Sequence, residues 1–499
     1  MSIPITGVLL IPLGMVLIFL PWRYCLTALM AFAMMSPAAV VNVGSFGLEP
    51  GYFLALLLIA RTFVSVMTEG YVLNGFVLGT MRPLFYFVAT TFVVLFAALC
   101  FFQGWVETLP GTSGFKSGAT QPFHLARNNY TQIAYLFINL CLIYSLAHQG
   151  ARRGFETLVR DWDRAIICGL LFAVLVCAWQ FVSLYSGIYF PADFFYSNAG
   201  YSRADSQTMV GLFRINGPFE EPSTLGYTFT GFLLFAWLRY RALPSAFSGL
   251  MIAGCIFCML VSTSTTAFVG LFMFGCLAVF DLATGRAWIL PRKLSATQLM
   301  SVLFVFVGIL LGSAYAAENW AAISIMLNNV LFNKAESTSF QQRAFADLLA
   351  VKIFVETYGI GVSLGSHKAN SLMLTILSNT GIAGLVLFCS FIYGLFRARP
   401  AAECMRYRPV VIARALSPFQ WGLAGLLVIH VFSNPNLSTL TLWVQIGGLL
   451  ALQAALHRAS AAFRSGEIAY RRMPESRLAV PFSHEAARPP RISADEGTA

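Results

Sequence analysis

The chain is 499 residues long, 58% hydrophobic and only 11% charged, with a formal net charge of +11 and a mean hydropathy of +0.72. That balance excludes a soluble globular domain and an intrinsically disordered chain, and it fits a membrane protein with many spans.

A spanning helix needs about 20 mostly apolar residues. In chain order, such segments lie at 4–20, 24–41, 51–67, 83–102, 129–147, 165–186, 223–238, 246–262, 264–281, 297–316, 371–396, 416–433 and 437–456. They predict an all-α polytopic membrane protein with roughly 13 spans, in a range of about 12–14. Pro37 and Pro50 interrupt the early segments, and 71–79 is a further short apolar run. The first apolar run has no charged n-region and no small-residue cleavage site, so a removed signal peptide is not expected. The organisation expected is one membrane domain over 1–456 and a basic, Arg-, Ala-, Ser- and Pro-rich disordered tail over 457–499.

The basic residues are distributed by topology. Arg152, Arg153, Arg160 and Arg164 share one loop, Arg239 and Arg241 a second, Arg286, Arg292 and Lys293 a third, and Arg397 to Arg414 a fourth; the tail after Leu456 adds seven arginines. These loops alternate along the chain, so they share one side of the membrane, and the positive-inside rule makes that side the cytoplasm. Nucleic-acid binding is therefore not expected despite the net charge. With 13 spans and the tail inside, the N-terminus faces out. The ten cysteines sit mostly in apolar segments; Cys255 and Cys258 form a CxxC inside a span, where that spacing means one shared helix face.

Three loops on the opposite side exceed hairpin length, at about 103–128, 187–222 and 317–370. The first is poor in ionisable groups and reads as a lid or spacer. The second ends in the densest polar cluster of the chain, Arg214-Ile215-Asn216-Gly217-Pro218-Phe219-Glu220-Glu221-Pro222-Ser223. Arg214 offers a planar fork of donors suited to phosphate oxygens; its plain alternative is an arginine resting on lipid headgroups. Pro222 suits a first helical turn and Glu221 its cap. Glu220 and Glu221 are adjacent and cannot point the same way, so one carboxylate at most faces a reacting centre. Glu221, immediately before Pro222, is the expected general base, and Glu220 its neighbour.

In the third loop, Ser339-Phe340-Gln341-Gln342 fits a capping box. Phe340, Ala344, Leu348, Val351 and Val355 then recur at helical spacing, predicting a helix on the membrane surface or packed over the bundle. Arg343 is the second candidate cation, though Asp347 four residues on could hold it in an ordinary helix pair. Gly359, Gly361 and Gly365 break the helix, and His367 and Lys368 follow. His367 and, near the end of a later span, His430 could each move a proton near neutral pH or simply make an interior hydrogen bond. No P-loop, HExxH or GxSxG motif occurs, and the cytoplasmic loops are too short for a nucleotide-sugar or ATP domain. A donor for group transfer should arrive in the membrane.

The two segments RINGPFEEPSTLGY and QQRAFADLLAVKIFVETYGIGVSLGSHKANSLMLTILSNTGIAGL resemble the bacterial O-antigen polymerase and ligase superfamily, and within it the Wzy-type polymerases of exopolysaccharide repeat units. The resemblance implies a multi-span fold like the lipid-dependent glycosyltransferases of the GT-C kind, in the bacterial inner membrane with the site facing the periplasm. The implied activity is metal-independent and cofactor-free polymerisation of undecaprenyl-pyrophosphate-linked repeat units. The implied partners are the lipid-linked glycan, membrane lipid, and the flippase and chain-length regulator proteins of the same pathway.

Carried over, Arg214 and Arg343 hold the pyrophosphate and stabilise the leaving charge. Glu221 matches the acidic member of the first segment, and a carboxylate or histidine activates the acceptor hydroxyl. Ligases of the superfamily commonly show a His-Asn pair after the G-x-G turn; in register it falls on Asn370 and Ser371 here, with His367 three residues before. This departure favours polymerase over ligase. A flippase of lipid-linked sugars is the alternative of another class, and it should carry ionisable residues at the bilayer midplane.

Overall fold

The computed structural model describes residues 1–70, 75–109, 119–201, 207–209, 212–242, 245–283, 320–327, 338–397 and 409–464. The expected span at 297–316 and the tail beyond 464 lie outside the described residues. Fifteen helices are named among those residues: α1 Ile5–Leu17, α2 Trp22–Phe32, α3 Pro50–Glu69, α4 Gly75–Phe101, α5 Arg127–Ala151, α6 Phe155–Ser186, α7 Ala192–Phe195, α8 Pro222–Ala242, α9 Ala246–Val261, α10 Thr265–Ala283, α11 Trp320–Leu327, α12 Thr338–Glu356, α13 Leu372–Arg397, α14 Pro409–Ser433 and α15 Leu440–Arg464. Three two-stranded antiparallel hairpins join them: β1 Val41–Val43 with β2 Phe46–Leu48, β3 Glu107–Thr108 with β4 Gln121–Pro122, and β5 Thr208–Met209 with β6 Leu212–Phe213.

The protein is an all-α, multi-pass membrane protein. Among the described residues seven helices are long and apolar enough to cross a membrane (α3, α4, α5, α6, α13, α14 and α15), and α1, α9 and α10 are shorter apolar helices. The span expected at 24–41 stops at Phe32. Ser36-Pro37 ends the helical run, and the chain turns into the β1–β2 hairpin, whose register pairs Asn42 with Gly47.

Helix α15 is the axis of the bundle, with almost all of its spanning window buried. It packs on α5, while α8 is enclosed by α14, α9 and α10, α2 lies along α6, and α13 along α4. Helix α8 is buried at nearly every position from Thr224 to Ala236, so the chain that feeds it is fixed at a mouth inside the bundle.

The loops sort onto two faces. On one, the backbone of Ser2 pairs with Asn42, Asn198 donates to the Gly47 carbonyl, the Lys368 amide to the Leu109 carbonyl, and Asn370 to the Phe432 carbonyl. The N-terminus therefore sits on the same face as the long loops. On the other, Arg152 meets Glu69 and Ser65, Arg239 forms a two-point pair with Asp163 at 2.8 and 3.2 Å, and Arg458 donates to the Ala151 carbonyl at 2.5 Å.

Helix α12 packs over the bundle, with the expected stripe turned outward. It begins at Thr338, one residue before the proposed capping box. Its packed face is Ala346, Leu349 and Ile353, set against Ala98, Phe102, Val106, Leu109 and Phe123. The predicted stripe points away, with Leu348 70% and Val355 66% exposed. Both faces are apolar, so one meets protein and the other is left for the membrane.

Candidate functional site

The loop before α8 is built to hold still. Gln180 on α6 accepts the backbone amides of Asn216 and Gly217 through Oε1, at 3.1 and 2.7 Å, and donates through Nε2 to Asn216 Oδ1 at 2.8 Å. Tyr196 donates to the Gly217 carbonyl at 2.6 Å. Gly217 has φ +57°, and a Cβ there would lie 2.3 Å from Cys177 Sγ, so only glycine fits. The Ile215 amide reaches the Val261 carbonyl at the end of α9. Pro222 opens α8, and the Glu221 carbonyl accepts the Leu225 amide, which makes Glu221 the cap.

This frame presents Arg214. Its backbone amide donates to the Gln207 carbonyl at 2.9 Å. The half-buried guanidinium has a buried Nε with no hydrogen-bond partner among the described residues. Burial pushes its pKa down from the usual arginine value, the Glu221 charge works against that, and Arg343 adds to it. Glu221, from the same loop, and Arg343, far away in sequence, thus each lie within electrostatic range of Arg214. Glu221 is exposed and accepts from Ser223 Oγ at 3.0 Å.

Asp347 does not form an ion pair with Arg343 among the described residues. Its Oδ1 instead accepts the backbone amides of Asn370 (2.8 Å) and Ser371 (3.2 Å) at the start of α13. That is an N-cap supplied from another helix. Asp347→Asn keeps the acceptor oxygen and should melt close to the unaltered protein, whereas Asp347→Ala should lose about 1–2 kcal/mol; equal melting temperatures for the two would contradict this role.

The glycine-rich segment after α12 is a backbone knot. Helix α13 is broken at Gly381 (φ 66°, ψ −167°), and the freed Ile382 amide donates to the Gly359 carbonyl at 3.0 Å. Asn379 Oδ1 accepts the amides of Ser366 and His367 at 3.1 Å each, while its Nδ2 donates to the His367 and Thr375 carbonyls. Asn129 on α5 donates to Leu364 O and Ser366 Oγ. Non-helical backbone is tolerated in a spanning region when protein satisfies it in this way.

The two histidines are embedded in backbone. His367 is buried; its Nδ1 accepts the Leu109 amide at 3.3 Å and its Nε2 lies 3.0 Å from the Ala346 carbonyl. Burial pushes its pKa down to about 4, so it is neutral and joins the first loop to α12. His430 is buried within α14, bonded to the Leu426 carbonyl and to Asn434 Nδ2. Asn370 ties the start of α13 to Phe432, and Lys368 lies within electrostatic range of Glu220.

Glu220 points where Glu221 does not. It lines a polar recess together with Glu49 and Tyr201. Glu49 immediately precedes Pro50 at the start of α3, the same carboxylate-before-proline pattern as Glu221-Pro222, and this is the sequence signal that could have found it. Tyr201 donates to Glu49 Oε1 at 3.0 Å, and Thr224 donates to Glu220 Oε1 at 3.4 Å. Burial, and then the Glu220 charge, push Glu49 up to about 8, against the Tyr201 hydrogen bond. Burial, and then the Glu221 charge, push Glu220 up to about 7, against Lys368 and Thr224.

Both carboxyls hold protons more tightly folded than at their ordinary value of 4.5. The stability linked to that protonation is therefore full below about 4.5 and is lost as the pH rises through 7 and 8. The melting temperature in detergent should fall from pH 7 to pH 9, and Glu49→Gln should remove the part lost near pH 8. A fall of the same size in Glu49→Gln would assign it to other groups.

Among the described residues no group of three or more His, Cys, Asp or Glu side chains could hold a metal ion. No protein-family model matches the chain, and no curated protein matches it.

Proposed function

We propose that the chain elongates a glycan carried on undecaprenyl pyrophosphate, joining lipid-linked repeat units at the outer face of the inner membrane. The observation that carries this reading is Arg214: a half-buried guanidinium whose Nε has no partner among the described residues, fixed on a loop held by Gln180 and Tyr196 at the mouth of a buried helix, with Arg343 and Glu221 in electrostatic range. A low-dielectric mouth with two guanidinium groups suits a diphosphate, and it stabilises the charge that develops as the anomeric carbon–oxygen bond breaks. The position of the site at the bundle's loop face suits a donor that arrives by lateral diffusion in the membrane.

The ligase reading requires a histidine free to take a proton, and both nitrogens of His367 are occupied by backbone. Transport of lipid-linked sugars is favoured by one observation, the broken helix α13. Its break is filled by the Gly359 and Ile360 backbone, and the charges gather at the mouth. Deleting the gene and inspecting lipid-linked glycans separates the three readings: single repeat units accumulate for a polymerase, finished polymer for a ligase, and units confined to the inner leaflet for a flippase.

A further inference from the structure

The recess beside the Arg214 loop has a half-exposed rim and a buried floor. Glu220 and Tyr201 stand at the rim, while Glu49, Thr224, Thr228 and Thr441 are buried. It has room for one water-sized group, such as a single hydroxyl, and its wall is mixed, with the carboxyls and hydroxyls set among Ala33, Phe219 and Leu440. Two of its buried residues are unsatisfied: the hydroxyls of Thr228 (0% exposed) and Thr441 (2% exposed) have no hydrogen-bond partner among the described residues. They come from α8 and from the first turn of α15, so they reach the recess from two different helices. An unpaired buried hydroxyl is costly, and a polar occupant would relieve both.

We propose that this recess is the acceptor subsite: one hydroxyl of the acceptor sugar enters it, is oriented by Thr228 and Thr441, and gives its proton to the Glu220 carboxylate. The proposal rests on the glycan-elongation reading. The acceptor oxygen forms its bond to the anomeric carbon as the bond from that carbon to the phosphate oxygen breaks. The leaving pyrophosphate keeps the electron pair beside Arg214 and Arg343, and the acceptor proton ends on Glu220. No metal or co-reactant is needed for this balance.

Geometry separates the two adjacent glutamates. Glu221 faces outward beside Arg214, where its charge belongs to the pyrophosphate side. Glu220 faces inward among Glu49, Tyr201, Tyr227 and Lys368, which with Glu221 are the titratable groups around it. Tyr227 is itself packed edge-on against His430, with ring centroids 4.5 Å apart. Burial pushes both carboxyls up, and Lys368, within electrostatic range of Glu220, favours the charged form of that carboxyl, which is the form a base needs.

The test uses the full chain in lipid vesicles with a lipid-linked oligosaccharide as donor and the same oligosaccharide, freed of the lipid carrier and varied independently, as acceptor. Glu220→Gln should lower kcat by about 100-fold or more and abolish the rise of rate with pH through about 7, and Glu220→Asp should keep that rise at a reduced rate. Thr228→Val should raise KM for the acceptor about tenfold with donor KM unchanged, and Thr228→Ser should restore it.

If the unaltered chain does not elongate the donor, the elongation reading falls and this one with it. If it does elongate, while Glu220→Gln stays within threefold of it or Glu221→Gln is the variant that loses the pH rise, the subsite is wrong and elongation stands. A rate that depends on sodium against potassium at constant ionic strength, and loses that dependence in Thr228→Val, assigns the recess to a cation and overturns the proposal.

Discussion

Arg214→Ala is expected to lower polymer formation about 100- to 1,000-fold while the protein still assembles in the membrane. The size follows from the place of the guanidinium. It sits half-buried on a loop locked by Gln180 and Tyr196, so it stays in position as charge develops on the leaving pyrophosphate. An arginine resting on lipid headgroups would be exposed and mobile, and its loss would leave the rate within a few-fold.

Arg214→Lys refines the prediction. It keeps the charge but loses the planar fork, so it should recover only a minor part of the activity. The same substitution at Arg343 should behave similarly, since Arg343 lies within electrostatic range of Arg214. The measurement is polymer length and amount on a gel, with membrane protein level as the control. Full-length polymer from Arg214→Ala would remove Arg214 from the site.

Gly381→Ala should cost about 3 kcal/mol or more and remove activity through the fold. The break in α13 places Gly381 at φ 66° and ψ −167°, a region that side-chain-bearing residues scarcely enter. A Cβ there would also sit 2.1 Å from the Gly359 carbonyl oxygen and 2.5 Å from that of Ile360. Relief would pull apart the knot in which Asn379 holds the turn of Ser366 and His367. Arg343 rides on α12, which His367 joins to the first loop, so the second cation would be misplaced as well. A melting temperature within about 2 °C of the unaltered protein would show that the break tolerates a side chain.

The sequence carried the bundle because lipid demands long apolar helices, and hydropathy reads them directly. It carried the mouth of α8 too, because Pro222 at a first turn and Glu221 as its cap are local rules. What it could not carry was partner choice. Periodicity on α12 marked Leu348 and Val355, yet the face that packs on protein is Ala346, Leu349 and Ile353. Both faces are apolar, and no local pattern says which meets lipid.

The orientation of the glutamate pair was half legible. Adjacent residues must diverge, but the inward one is fixed by a recess whose other wall, Glu49, lies some 170 residues earlier. Much of the second distinctive segment is explained by backbone satisfaction. Gly359, Gly361, His367, Asn379 and Gly381 close the knot, and Arg343 stands half-buried on the helix before it. Gln180, a polar residue in an apolar helix, was the available hint that such loops needed anchoring.

The most direct test of the account is reconstitution of the purified chain in vesicles with a single lipid-linked repeat unit and no other protein. The expected result is a ladder of lipid-linked oligomers, each rung one repeat unit longer, and no ladder from Arg214→Ala. A folded, unaltered chain that leaves the repeat unit as a monomer, or moves it across the bilayer unchanged, would contradict it.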